Sequence, residues 1–566
     1  MSSDPSAPSS DPQSESRPQL LRVLGLGIAI AMVVGNTIGS GIFLKPGKIA
    51  ADAGSFSMIV SCWIIGGLVC LAGALCFAEL AAMLPRAGGI YVYLREAYGR
   101  PVAFLFGWSE FFFGTPASCG ALSVAIVSTL SVLMNPPQIV TARLTNEVTA
   151  SQTTLMLENA AAFPAHEAFL IEIDSEKMTV MEVDHAASTF TVSRGANGTV
   201  AAVHSAGVTV SGRPPNLNRI VVVGGALFLL VLVAFINVRG AIWGGSVQAM
   251  TTIIKAGCVA FIALAPFLLF FIGRSQVDFS HYAMQAIPTD VSFSMRLAAV
   301  MLAVMWAYNG WEGVTPVAAE VRDPHRNIPI ALLGGVGILI AVYVGANVAY
   351  HGVLSMDELI ATAADRNTAQ VMLTKQFGVF GAPVGQTAAL IASLVISLSA
   401  FGAINSNLLQ SPRVAYAMGH DGVFFQHLGI VHARFRTPAV AICTQATMAA
   451  VMVVGFEVAK RNIPQLAKID LFDILTDYVI FSASVFLLLA VIAVIVLRFK
   501  HPEWERPYRV TGYPVTPLLY VAFYLWFLPT AYLQQSFSAH VALILIGLGL
   551  PAYYIYAAMR KAPSHS

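Results

Sequence analysis

Two apolar segments of this chain are interrupted by glycine and polar residues where a lipid-spanning helix should be most regular. The first interruption is Val34-Gly35-Asn36-Thr37-Ile38-Gly39-Ser40-Gly41-Ile42-Phe43, and the second is Trp306-Ala307-Tyr308-Asn309-Gly310-Trp311-Glu312-Gly313. A break at Gly39-Ser40-Gly41 frees backbone N–H groups and starts a new half-helix near Ile42. A helix N-terminus carries about half a positive charge and unpaired donors. Glycine lets a carboxylate approach the backbone there, and the Ser40 hydroxyl adds a donor. The break at Asn309-Gly310 leaves carbonyls near Trp306 and Ala307 that can receive an ammonium. An α-amino acid needs this pair of features. Gly-x-Gly also suits close packing between membrane helices. Two breaks at matching places in two halves of a membrane protein point instead to a transporter's midplane site.

Four ionisable side chains fall inside apolar stretches, where charge is expensive and marks function: Glu110, Lys255, Glu312 and Asp477. Lys255 could load and release a proton, or stay charged and hold neighbouring carbonyls in place. Glu312, just after the second break, could bind a cationic ligand, sense pH, or tie the following half-helix to its neighbours. Glu320 with Arg322, Asp323 and Arg326 forms a charged cluster suited to a gate or to an inert solvated patch. Other expected pocket residues are apolar or aromatic, Phe112, Trp306 and Trp311, with no deep acidic pair that would demand arginine or lysine as ligand.

These residues need a bilayer-spanning scaffold, and the composition provides it. Of 566 residues, 57% are hydrophobic and 11% charged, against about 25% charged in soluble domains; mean hydropathy is +0.71. The net charge of +2 says nothing about partners. Twelve stretches of about 20 apolar residues read as membrane helices. They lie near 24–49, 56–84, 101–134, 218–238, 244–272, 294–320, 329–353, 384–411, 437–456, 471–498, 514–534 and 538–559. The broken ones are the first and the sixth. That spacing fits an inverted repeat of helices 1–5 and 6–10 with two helices added. Arginines such as Arg86, Arg95, Arg239, Arg434 and Arg498 crowd the loops on one side, and Lys460, Arg461 and Lys468 dilute the bias on the other. The positive-inside rule then puts both termini in the cytoplasm.

Residues 1–20 are rich in Ser, Pro and Asp, which predicts a disordered cytoplasmic tail and no signal peptide. The six cysteines lie in apolar stretches without metal-ligand spacing to histidine, so they read as small buried hydrophobes, with neither disulfide nor metal. Scattered histidines and no nucleophile elbow, phosphate loop or nucleotide-binding domain argue against an enzyme or a primary pump. No cofactor is called for. The expected partners are the lipid bilayer and a small solute, not nucleic acid.

The membrane helices divide into 21–134 and 218–560, and residues 135–217 between them break the pattern. Short β-prone runs (155–157, 169–173, 178–183, 189–192 and 207–210) alternate with turn signals such as Phe163-Pro164 and Asn197-Gly198, between Pro136-Pro137 and Pro214-Pro215. This predicts a small antiparallel β module between helices 3 and 4, on the extracytoplasmic side. Its acids (Glu172, Asp174, Glu176, Glu182 and Asp184) suit solvated strand edges or a cation site, and His166, His185 and His204 lack ligand spacing. Asn197-Gly198-Thr199 is formally a glycosylation sequon and first a hairpin turn. The runs Ile173-Asp174-Ser175-Glu176-Lys177-Met178 and Arg194-Gly195-Ala196-Asn197-Gly198-Thr199 resemble a small β module of phage-tail and other bacterial surface proteins.

The stretch Gly35-Asn36-Thr37-Ile38-Gly39-Ser40-Gly41-Ile42-Phe43 resembles the first-helix signature of amino acid–polyamine–organocation permeases. So does Pro85-Arg86-Ala87-Gly88-Gly89-Ile90-Tyr91-Val92-Tyr93. Trp306-Ala307-Tyr308-Asn309-Gly310-Trp311 with Glu320 and Asp323-Pro324-His325-Arg326-Asn327-Ile328-Pro329 is similar to the sixth helix of the L-type amino acid transporter branch. Arg506-Pro507-Tyr508-Arg509-Val510-Thr511-Gly512-Tyr513-Pro514 fits the same branch. The resemblance implies an all-α membrane protein of the five-plus-five inverted-repeat fold with helices 1 and 6 broken. It implies that Thr37, Ile38, Gly39, Ser40 and Gly41 hold the substrate's backbone from helix 1, and Trp306, Ala307, Asn309 and Gly310 from helix 6. Proton-coupled relatives carry a lysine matching Lys255 near helix 1, exchangers of the branch carry it too, and Glu312 falls where many members have glutamate. The implied function is secondary transport of neutral, small or apolar amino acids across the plasma (inner) membrane by alternating access, as proton symporter or exchanger. A cationic amino acid or polyamine permease stays open, as do a non-transporting sensor on the same scaffold and a homodimer. The insertion departs from the family. The cysteine that tethers a glycoprotein partner in eukaryotic members is missing from the helix 3–4 loop, so no disulfide-linked partner is expected.

Overall fold

The computed structural model describes residues 19–134, 140–161, 163, 169–195, 199–212, 219–288, 291–365, 367–462, 471–534 and 536–561. Residues 1–18 of the tail expected over 1–20, the Pro136-Pro137, Asn197-Gly198 and Pro214-Pro215 turns, Pro164, His166 and Lys468 lie outside the described residues. So do the side chains of Lys460, Arg461 and Asp477.

Among the described residues eleven helices are long and apolar enough to cross a membrane. They are α1 (Leu26–Leu44), α2 (Phe56–Met83), α3 (Arg100–Ser131), α4 (Ile220–Val238), α5 (Ala241–Phe271), α7 (Pro324–Val353), α8 (Ala382–His420), α9 (Ala439–Ala459), α10 (Val479–Lys500), α11 (Val515–Gln534) and α12 (Phe537–Met559). Between α5 and α7 stands α6, Phe293–Tyr308, too short to count among them. The sixth expected span is divided into this helix and a ten-residue 3-10 segment, Trp311–Glu320. The cause is local. Gly310 takes φ 101°, a left-handed conformation open to glycine and strained for other residues. Pro316 in the next segment removes an N–H that an α-helix would use.

α1 is divided as well: its α-helix runs to Thr37 and resumes at Gly41. α3 stays continuous but holds a π-helical turn, Glu110–Gly114. Pro116 has no N–H to offer the Phe112 carbonyl, so the ladder slips there. α1 packs against α5 and α7, and glycines set the distance. A Cβ at Gly35 would fall 1.8 Å from the Thr252 Oγ1, and one at Gly335 2.5 Å from a Val33 methyl. Of the cysteines, Cys443 is exposed and Cys258 half-buried, so these two do not belong to the packed interior.

Two carboxylates are neutralised inside the bundle by arginines distant in sequence. Glu79 accepts from Arg498 Nε (2.9 Å) and Nη2 (2.5 Å) and from the Val510 N–H (2.7 Å). Glu320 is buried and takes both prongs of Arg413 from α8 (2.8 and 3.2 Å). Its expected neighbours Arg322 and Arg326 are exposed instead. The tight 3-10 turn brings Glu320 inward against α8 and leaves Arg322 and Asp323 outside.

The described residues between 140 and 212 form a six-stranded antiparallel sheet in the order β1-β6-β3-β4-β5-β2. The strands are β1 (Val140–Arg143), β2 (Thr154–Met156), β3 (Phe169–Ile173), β4 (Glu176–Asp184), β5 (Thr189–Ser193) and β6 (Thr209–Gly212). Its two edges meet. Leu144 bridges Leu157, the Thr145 N–H donates to Met156 O (2.9 Å), and the Glu158 N–H donates to Arg143 O (2.9 Å). The sheet thus closes on its own core of Phe163, Phe169, Ile171, Val180 and Phe190. Its first and last strands are register partners, Val140 opposite Gly212.

Glu176 is the hub of this barrel. The Arg194 guanidinium binds both its oxygens (2.8 Å each), and the Gly195 and Ala202 N–H groups donate to it (3.0 and 2.8 Å). His204 lies between Glu176 (2.9 Å) and Asp174 (2.8 Å). Burial pushes the Glu176 carboxyl up. Arg194, the two amides and His204 outweigh burial and hold it well below the usual carboxylate range. A depressed folded value means that this stabilisation is complete above the ordinary carboxylate pKa, about 4.3, and is lost as pH falls toward the folded value. Glu176→Gln should therefore destabilise the barrel by about 3–5 kcal/mol at neutral pH, since it leaves Arg194 buried without its counter-charge. Hydrogen exchange of strands β3 to β5 in the whole protein checks this. Unchanged protection would contradict the hub role.

Candidate functional site

The two breaks meet in space, and their freed carbonyls find partners on neighbouring helices. Asn36 Nδ2 donates to Gly310 O (2.8 Å), joining one break to the other. The Tyr343 hydroxyl from α7 lies 2.9 Å from Thr37 O and 3.0 Å from Ala307 O. From α8 the Ser399 hydroxyl donates to Ile38 O (2.9 Å). From α5 the Lys255 ammonium donates to Gly35 O, and Thr252 Oγ1 donates to Ala31 O (3.0 Å). The Gly39 N–H turns back onto Thr37 O (2.7 Å). The contacts to Gly35 O, Ile38 O and Ala307 O remove the penalty of unpaired peptide groups away from water.

Beside this junction lies a cavity of about 190 Å³. Thr37, Gly39, Ser40 and Gly41 line it from α1, and Trp306, Ala307, Asn309, Gly310 and Glu312 from α6 and the turn after it. Two expected site residues do not reach it. Ile38 is buried in the core and contributes only its carbonyl contact, and Lys255 stands behind α1 at Gly35. The backbones approach closely: a Cβ at Gly41 would lie 2.9 Å from Ala307 Cα.

The wall opposite the breaks is more polar than the expected aromatic lining. Phe106 and Phe486 contribute to it, but so do Ser109, Glu110, Asn407, Gln410 and Ser482. Ser109 and Ser482 hydroxyls are 2.9 Å apart, which ties α3 to α10. Asn407 donates to Ser118 Oγ (3.2 Å), which ties α8 to α3. Phe112 packs against Trp108 and Phe424 instead (ring centroids 4.5 and 5.7 Å), and Trp311 against Phe77 (4.9 Å). Two acids face the one cavity, Glu110 and Glu312, where none paired was expected. The Thr115 hydroxyl donates to Glu110 (2.5 Å), and Glu312 Oε2 is buried without a hydrogen-bond partner among the described residues. The orientation of Glu110 depends on the π turn in which it sits, which the in-span acid alone does not disclose. The arrangement offers peptide groups of both polarities at the breaks, carboxylates beside them, and hydroxyl and amide groups across the gap.

A family model described as amino acid permease matches residues 24–549. The chain is 28% identical to the serine/threonine exchanger SteT of Bacillus subtilis (strain 168), over 94% of this chain and 97% of that protein. It is 27% identical to the human b(0,+)-type amino acid transporter 1, over 87% of this chain and 79% of that protein. With the mouse Asc-type amino acid transporter 1 the identity is 24%, over 97% and 83%.

Gly310→Ala should strain the left-handed turn by about 1–2 kcal/mol and push against Asn36, whose side chain would lie 2.6 Å from the new Cβ. A lowered thermal midpoint of the purified protein is the expected result. Gly41→Ala should instead separate the two breaks and weaken ligand-induced stabilisation more than stability itself. Equal effects on both measures at both positions would contradict this division.

Proposed function

The chain belongs to the amino acid permease family, and from that premise we propose that it is a secondary transporter of neutral, small or apolar, amino acids. It would work by alternating access, as a proton symporter or an exchanger. The observation that carries the reading is the meeting of two broken helices at one cavity. Interrupted backbone at membrane depth is tolerated where it lines a wet cavity, and ligand sites lie there. In this reading the substrate's carboxylate and ammonium are held by Thr37 to Gly41 and by Trp306, Ala307, Asn309 and Gly310, with Lys255 and Glu312 in coupling or gating. α6 and its 3-10 continuation form the sixth of twelve spans, and helices 1–5 and 6–10 form the inverted repeat. Both termini lie in the cytoplasm and the β barrel outside, in a plasma (inner) membrane protein that is free of disulfide-linked partners and able to pair as a homodimer.

A second reading rests on Glu110 and Glu312 facing the same cavity: a cationic amino acid or polyamine would neutralise them. Counterflow in proteoliposomes separates the readings. Internal neutral amino acids should drive uptake of a labelled neutral one, and arginine should not. The polar wall should favour threonine over isosteric valine by about tenfold or more, because valine leaves buried polar groups unpaired. If arginine or lysine drives exchange, and Glu110→Gln or Glu312→Gln removes only that exchange, the cationic reading replaces ours. Binding without flux would make the protein a sensor. With Lys255→Ala, exchange that persists while gradient-driven accumulation vanishes would assign proton coupling to this lysine.

A further inference from the structure

A second cavity, of about 250 Å³, lies where α4 turns into α5, away from the two breaks. Besides Glu320, three separate pieces of chain wall it. They are Leu21 and Val23 before α1, the turn Arg239-Gly240 with Ile242 and Trp243 at the start of α5, and Phe435-Arg436 before α9. The Thr437 hydroxyl donates to Val238 O (2.8 Å) and pins the two loops together. Arg239 stacks over the Phe435 ring, its guanidinium carbon 5.7 Å from the centroid.

The charge in this groove is unbalanced. Neither Arg239 nor Arg436 has a carboxylate partner among the described residues. Glu320, the acid in the wall, is already bound by both prongs of Arg413. The mouth is apolar and faces outward. Trp243 is 66% exposed and Ile242 49%, and the exposed stripe of α5 continues through Met250, Ile253, Phe261 and Leu264. Arginines at the end of a membrane helix beside an exposed tryptophan stand at headgroup depth. Basic pockets between helices at that depth take anionic headgroups. Arginines at helix ends are ordinarily solvated one by one. Here two from distant loops converge on a single groove that continues into a lipid-facing stripe.

We propose that this groove is a binding site for an anionic phospholipid, with Arg239 and Arg436 on the headgroup phosphate and an acyl chain along Trp243 and the α5 stripe. The wall formed by Leu21 and Val23 leads into the strap in which the Val23 and Leu24 N–H groups donate to Glu320 O (2.9 Å each) and the Arg322 N–H donates to Leu24 O (2.8 Å). A bound lipid therefore packs against the tie between the start of α1 and the end of the segment after α6.

The test uses the full chain in neutral detergent. Native mass spectrometry and thermal unfolding are run with phosphatidylglycerol, phosphatidylcholine or inorganic phosphate. Phosphatidylglycerol should be retained and raise the midpoint, and the other two should not. Arg239→Gln and Arg436→Gln should each weaken retention about fivefold, and together about thirtyfold. Arg100→Gln, an exposed arginine outside the groove, should leave it unchanged. Size-exclusion profiles identify any variant that has simply misfolded, in which case Arg239→Lys and Arg436→Lys should retain lipid where Gln does not. Equal protection by inorganic phosphate would mean a free-anion site, and equal protection by phosphatidylcholine would mean that the headgroup charge is irrelevant. Either result, or full retention by the double variant, overturns the proposal.

Discussion

A peptide group inside a bilayer has no water to fall back on, and this constraint organises the bundle around its two interruptions. Where α1 stops at Thr37 and α6 stops at Tyr308, carbonyls lose their helical donors. The replacements come from other helices: Tyr343 on α7 serves both breaks, Ser399 on α8 serves Ile38, and Lys255 on α5 serves Gly35. The interruptions therefore do not exist independently of the packing around them. α1 is held against α5 and α7 at glycine distances because the side chains that satisfy its backbone stand there. The cavity is what remains where peptide groups face each other without enough side chains to fill the gap.

The breaks could be read in the sequence because glycine and asparagine in an apolar run are conspicuous. Their partners could not. Tyr343 and Ser399 sit on unbroken apolar helices, where one tyrosine or serine carries no signal until the helix rotation is known. The same holds for Arg413, one of many arginines near helix ends, which turned out to hold Glu320 in place of the nearby Arg322 and Arg326. In the π turn of α3, Glu110 lines the cavity and Phe112 packs against Trp108 instead, a division that the apolar run alone does not disclose. In the inserted segment β3 and β5 followed their alternating runs. β1 was missed because four residues, Val140–Arg143, are too few to stand out.

The acids of the bundle divide by their company. Glu79 and Glu320 are each gripped by arginine, and a buried pair of this kind is costly to break from one side. They fix positions. Among the described residues Glu110 and Glu312 have no such partner, and both line the cavity, so whatever enters it meets carboxylates without a counter-charge. The difference is one of counter-charge supply within one bundle: the arginine-held pair is buried, and the other two are half-buried at the cavity wall.

The pairing of Val140 with Gly212 has a consequence for how a barrel can sit within one connection of a helical bundle. Partners across an antiparallel ladder stand about 5 Å apart, so the chain leaves the barrel beside the point where it entered. A connector between α3 and α4 can be cut and a closed body of this kind spliced in without moving the two helix ends it joins. Where its edges meet, from Arg143 to Thr145 and from Met156 to Glu158, fewer backbone groups are left to recruit a strand from elsewhere. The barrel is built like a detachable cassette, whose two ends make little demand on the helices they join.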